Sequence, residues 1–172
     1  MTPPDAADLL PPRIPPGLGT RAAGMSVPSY QTLNRRGMLS GEFFSIIENG
    51  RRLLSRQGFL ALAAYRVLTE RGIEIKELPP AAFLRWAELW MRTRDTDKPV
   101  RELWVRYYGR PGGPDSKVSL LPNEDLLPEP PAPGALLTIR FDLAEIFGGA
   151  GRALADLASE ERETWKGLAG DE

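Results

Sequence analysis

Where proline and glycine stand most constrains how this chain can fold. The 172 residues include 17 Pro and 17 Gly, concentrated in residues 1–30 and 109–134. Proline lacks a backbone N–H and locks φ, so paired prolines block helix and strand ladder alike. Pro3, Pro4, Pro11, Pro12, Pro15, Pro16 and Pro28 all fall within the first 30 residues. They predict an extended, polyproline-like arm over 1–34. Leu9, Leu10, Ile14 and Leu18 stud this arm and are candidate partner-binding residues, because extended apolar-studded segments lie in partner grooves. The alternatives are an arm folded back on its own core or a tail without structure. Met25 is a candidate second start, which would leave residues 1–24 outside the folded chain.

Between the proline clusters, hydrophobic periodicity predicts helices. Over 40–57, Ser40 suits an N-cap and Glu42 the first turn, while Phe43, Ile46, Ile47, Leu53 and Leu54 share a helical face. Asn49-Gly50 either sits within that helix or ends a first short one, with Arg51 starting a second. Residues 59–71 are apolar nearly all round, as expected of a central helix, with Gly72 as its C-cap. Ile73 and Ile75 alternate with Glu74 and Lys76 as a short edge strand. Pro79-Pro80 opens a third helix to about Arg94, with Phe83, Trp86, Ala87 and Trp90 at i, i+3, i+4 and i+7. These elements make 35–98 a helical core.

Beyond Pro99 the period changes to two. Leu103, Val105 and Tyr107 alternate with Trp104, Arg106 and Tyr108 as a strand, and 117–121 returns after a Gly/Pro loop at Gly109–Ser116. Residues 122–134 read as an acidic, Pro-rich surface linker, and Ala135–Phe141 as a third strand. Residues 99–141 thus form a small antiparallel sheet. Asp142 and Glu145 have capping-box spacing at the start of a C-terminal helix with an acidic tail, 142–172. Gly148, Gly149 and Gly151 either interrupt that helix or pack it closely. The fold class expected is α+β and helix-dominated: three N-terminal helices, a hairpin plus third strand, and a C-terminal helix.

Charge is sorted along the chain. Residues 35–110 carry a net charge of +6 and residues 111–172 a net charge of −7, hidden in a total of −1. Such sorting suits a polyanion-facing half, or halves that attract each other or a neighbouring copy. Arg outnumbers Lys 18 to 4. The bias follows equally from a GC-rich genome and from a need for bidentate phosphate contacts. Arg35, Arg36, Arg51, Arg52, Arg56, Arg106 and Arg110 are the candidate nucleic-acid-binding residues. Trp104 and Tyr108, sharing a strand face with Arg106, are candidates for base stacking.

With no His and no Cys, the chain holds no Ser–His–Asp triad, no zinc-type ligand set and no disulfide. The Gly148–Gly151 stretch lacks the Gly-Lys-Ser/Thr of a P-loop, and Glu160, Glu161 and Glu163 read as a solvated helix face. No catalytic residue, metal or cofactor is expected. The longest apolar run, Phe59–Tyr65, is far short of a membrane span, and the N-terminus lacks a secretory pattern, so a cytoplasmic protein without membrane contact is expected.

These readings predict a non-enzymatic protein-binding or assembly subunit. It would act through the arm and through contact of one copy's basic middle with another's acidic end. The alternative is a DNA- or RNA-binding regulator. Three helices followed by strand–loop–strand resemble a winged helix in outline, with Gly109–Ser116 as the wing and Arg110 on the phosphate backbone.

Overall fold

The computed structural model describes residues 10–39, 44–71, 80–108, 117–122 and 135–169. The chain is α+β and helix-dominated, with two three-stranded antiparallel sheets. Its elements are β1 (Arg13–Ile14), α1 (Pro16–Ala22), α2 (Val27–Arg35), β2 (Ser45–Glu48), β3 (Arg51–Ser55), α3 (Arg56–Glu70), a 3-10 turn (Pro80–Phe83), α4 (Leu84–Thr93), β4 (Glu102–Tyr108), β5 (Lys117–Pro122), β6 (Ala135–Asp142) and α5 (Leu143–Ala169). Central α3 packs against β3, α4 and α5, with Phe59, Leu60, Ala61, Leu62 and Ala64 fully buried. Each large side chain of this set contributes about 1.5–3 kcal/mol by leaving water.

Pro15, Pro16 and Pro28 stand at helix starts instead of holding an extended arm. Pro15 is the N-cap of α1 and Pro16 its first residue, where the missing N–H costs nothing. In α2, Ser26 is the N-cap, its hydroxyl accepting from the Ser29 N–H, and Pro28 lies in the first turn. Both helices end alike. Met25 N–H bonds Thr20 O and Gly24 N–H bonds Arg21 O, while Met38 bonds Leu33 and Gly37 bonds Asn34 in the same pattern. Ahead of α1, Ile14 pairs with Leu54 across β1 and β3. Leu10 and Ile14 belong to the core, and Leu18 packs against it.

The helix expected over 40–57 is a β-hairpin over its described part. Glu48 and Arg51 pair across a two-residue turn, and Asn49 and Gly50 have φ of 49° and 74°. Both angles lie in the left-handed region, as a type I′ turn demands, and Asn-Gly is the pair that adopts it most readily. The apolar spacing that reads as one helical stripe is divided between two strands. Leu54 goes to the core, whereas Ile47 stays 69 % exposed. Two helices, the hairpin, and then α3 and α4 precede β4, so a hairpin interrupts the expected run of three helices.

The hairpin feeds directly into α3. Ser55 caps the helix, its hydroxyl accepting from the Gly58 N–H at 2.8 Å. Its own N–H donates to the Phe44 carbonyl at 3.1 Å and its hydroxyl to the same oxygen at 3.3 Å.

The second sheet is the expected antiparallel hairpin with a third strand, and β6 joins it on the free side of β4 to give the order β5-β4-β6. Leu103 and Val105 are fully buried on its inner face. Asp142 caps α5 by accepting from the Glu145 N–H at 3.0 Å. The helix then runs unbroken through Gly148, Gly149 and Gly151. Phe147 meets Trp90 edge to face with ring centroids 5.2 Å apart, joining α5 to α4. Phe83, Trp86, Ala87 and Trp90 are all buried, as their spacing requires. Among the described residues, no helix is long and apolar enough to cross a membrane. Leu9, Ser40, Glu42, Phe43, Gly72, Ile73, Ile75, the Gly109–Ser116 loop with Arg110, and residues 123–134 of the linker lie outside the described residues.

Candidate polyanion-binding surface

Arginines from two elements converge on the C-terminal end of α2. Arg35 is the last helical residue and Arg36 the C-cap, so both oppose the negative end of the helix dipole. From the hairpin, Arg52 reaches across and its Nη1 donates to Asn34 Oδ1 at 2.9 Å. Alternation along β3 explains this direction. Arg52 shares the strand face of buried Leu54, the face that meets the helices.

The same alternation turns Arg51 to the opposite face, directly across from Glu48. There Arg13 also contacts Glu48, Nη1 to Oε1 at 2.6 Å, alongside exposed parts of the sheet. Neighbours in sequence thus serve different surfaces. Arg51 joins an acid-bearing face, and Arg52 joins the α2 cluster.

On α2, the 100° step per residue places Arg36 in line with Thr32 and Ser29, on the side toward α3. Asn34 and Tyr30 lie on the side toward the hairpin. Electrostatics agrees with this placement. Burial raises the phenol pKa of Tyr65 and of Tyr30, and the rise is opposed by Arg36 at Tyr65 and by Arg52 at Tyr30. Both phenols are therefore protonated hydrogen-bond donors at neutral pH.

Between α2 and α3 runs a groove of about 650 Å³, lined by Met25, Pro28, Ser29, Thr32, Tyr65 and Thr69 among others. Arg66 ties α3 to the loop that precedes α2. Its Nε donates to the Gly24 carbonyl at 2.8 Å, and its guanidinium pairs with Glu70 one turn on. Buried Met25 and Leu33 give the groove an apolar floor under a hydroxyl-rich rim.

Some surface arginines are ion-paired, whereas others, exposed Arg51, Arg56 and Arg85 included, make no ion pair among the described residues. Arg21 pairs with Glu161 at 3.0 Å, Arg140 with Glu102 at 3.4 Å and Arg92 with Glu88 at 3.8 Å. Arg35, Arg36 and Arg52 are exposed and make no ion pair among the described residues.

The remaining candidates fall elsewhere. Arg56 opens α3, exposed, at the far end from Tyr65. Arg106 is only 3 % exposed, so it cannot serve as a surface phosphate contact. Its Nε and Nη1 are buried without a hydrogen-bond partner among the described residues. Trp104 and Tyr108 remain partly exposed beside it, with Trp104 Nε1 donating to Glu102 at 2.8 Å. Leu10 and Ile14, at 2 % and 0 % exposure, cannot enter a partner's groove, because the fold already uses them.

Asn34, Thr32 and Tyr65 escape sequence reading, since each looks like an ordinary helix residue until α2, α3 and the hairpin meet. Among the described residues, no group of His, Cys, Asp or Glu is placed to hold a metal ion. No protein-family model matches the chain, and no curated protein matches it.

Proposed function

We propose that this is a non-enzymatic nucleic-acid-binding protein whose phosphate contacts are Arg35, Arg36 and Arg52. The observation that carries this reading is the convergence of three exposed arginines, from two separate elements, with no ion-pair partner among the described residues. Guanidinium groups donate bidentately to phosphate oxygens, and neutralising phosphates releases counterions from the nucleic acid. The burial of Leu10 and Ile14 removes support from a reading in which the N-terminal segment docks on a partner.

Fluorescence anisotropy with short labelled DNA, titrated from low to physiological salt, tests the proposal. Binding should weaken with salt. Combined replacement of Arg35, Arg36 and Arg52 by Ala should flatten the logarithmic salt slope by about 2–3, at roughly 0.7–0.9 per phosphate contact. Arg51→Ala should leave the slope nearly unchanged, since Arg51 serves the other face. Absence of binding at low salt, where screening is weakest, would overturn the proposal.

A further inference from the structure

We infer that the α2–α3 groove receives an unstacked base of a single-stranded nucleic acid while Arg36 holds an adjacent phosphate. This inference rests on the nucleic-acid reading and deepens it by naming the substrate class and a second contact.

The groove and the arginine cluster are continuous. Thr32 lines the groove, and Arg36 follows it one turn later on the same side of α2. Tyr65 lines the opposite wall and feels the charge of Arg36. A backbone held at Arg36 would therefore carry its neighbouring base to the mouth of the groove at Tyr65.

The lining suits a base better than a purely apolar group. About 650 Å³ lies within the usual range of small-ligand sites, roughly 300–1,000 Å³. Met25, Leu33 and Pro28 supply apolar surface for a ring face. The Tyr65 phenol can donate to a base edge, while the Thr32 and Thr69 hydroxyls, which donate to the Pro28 and Tyr65 carbonyls, keep lone pairs able to accept from base-edge donors. Tyr65 is half-buried, which holds its ring in place and leaves part of it open for stacking. Among the described residues, the guanidinium within the lining, Arg66, already bonds Gly24 and Glu70, so the charge available to a phosphate lies at the Arg36 end. A duplex keeps its bases stacked inside the helix and cannot place one in the groove without flipping it out, at a cost of a few kcal/mol.

The test compares oligo-dT with a duplex of equal length by anisotropy, for the wild-type protein, Tyr65→Leu and the Arg35/Arg36/Arg52→Ala variant. It also uses an oligo-dT carrying 5-iodouracil for photocrosslinking to wild-type protein, with the crosslinked peptide mapped by mass spectrometry. The expected result is tighter binding of the single strand. Tyr65→Leu should lower single-strand affinity about tenfold, within the range of one lost base stack, and leave duplex affinity unchanged. The crosslink should fall on α2 or α3 residues of the groove. The mapping needs no substitution, so it stands even if Tyr65→Leu fails to fold. Equal binding of both oligonucleotides with a crosslink outside the groove would overturn the inference and leave the arginine site standing. Absence of binding to either form would overturn both.

Discussion

Gly58 and the Phe44 carbonyl occupy neighbouring space with no room for a side chain between them. A β-carbon on Gly58 would overlap the Phe44 carbonyl oxygen and lie 2.9 Å from its carbon. That carbonyl also accepts from the Ser55 N–H, so the backbone cannot easily withdraw. Gly58→Ala is therefore expected to destabilise the protein by about 1–3 kcal/mol, against the ordinary gain for Gly→Ala in a helix. Gly149→Ala in α5, where nothing lies within 4 Å, should stabilise by about 0.5–1 kcal/mol. Urea unfolding of both variants checks the pair, and the opposite signs are the diagnostic result.

Ile14 is fully buried beside Leu54 and Gly19 of α1. Ile14→Ala should cost about 2–5 kcal/mol, the usual range for emptying a core site. A thermal midpoint equal to that of the wild type would show that this segment is not part of the cooperative core.

Arg106 carries a charge at 3 % exposure with two guanidinium nitrogens lacking hydrogen-bond partners among the described residues. Burying a charge or donor without a partner is costly, so Arg106→Met should be neutral or stabilising by about 1 kcal/mol or more. Chemical denaturation measures this. A loss above about 2 kcal/mol would show that the guanidinium is satisfied in solution.

Tyr30 and Tyr65 both have phenol pKa values raised above their ordinary value of 10.0 by burial. Above pH 10 the unfolded chain loses these protons while the folded chain retains them, so ionisation favours unfolding. Their contribution to stability is full below pH 10 and is lost as pH rises through the folded values. Thermal midpoints measured from pH 8 to 11 should fall at the alkaline end, and the double variant Tyr30→Phe/Tyr65→Phe should fall less steeply. Equal slopes would contradict the raised values.

The elements that the sequence made legible are those with a single interpretation. Trp86 and Trp90 lie one turn apart on one face, and Leu103 and Val105 alternate on a strand. Asp142 stands three residues before Glu145 at a helix start. Local spacing alone requires these arrangements, because each side chain's direction follows from the period of its own element. The span 45–55 was ambiguous for the same reason. Ile46, Ile47, Leu53 and Leu54 satisfy a helical stripe, yet they also satisfy two strands joined at Asn49-Gly50. The left-handed turn settles the matter in favour of the strands. Pro15-Pro16 and Pro28 likewise suit either an extended arm or the first turns of two helices.

Sequence by itself determined the helix-dominated α+β class, the second sheet, the capping of α5 and the absence of His and Cys chemistry. Each depends on residue type and on spacing within one element. Tertiary structure alone decided which arginines act together. Arg51 and Arg52 are adjacent in the chain, but strand alternation sends one toward Glu48 and the other to Asn34 on α2. Tyr65 and Arg36 are distant in the chain, but the fold sets α2 and α3 on either side of one groove and brings them within electrostatic reach. A surface drawn from several elements depends on how those elements dock, and docking is set by the buried faces rather than by the exposed residues that form the site.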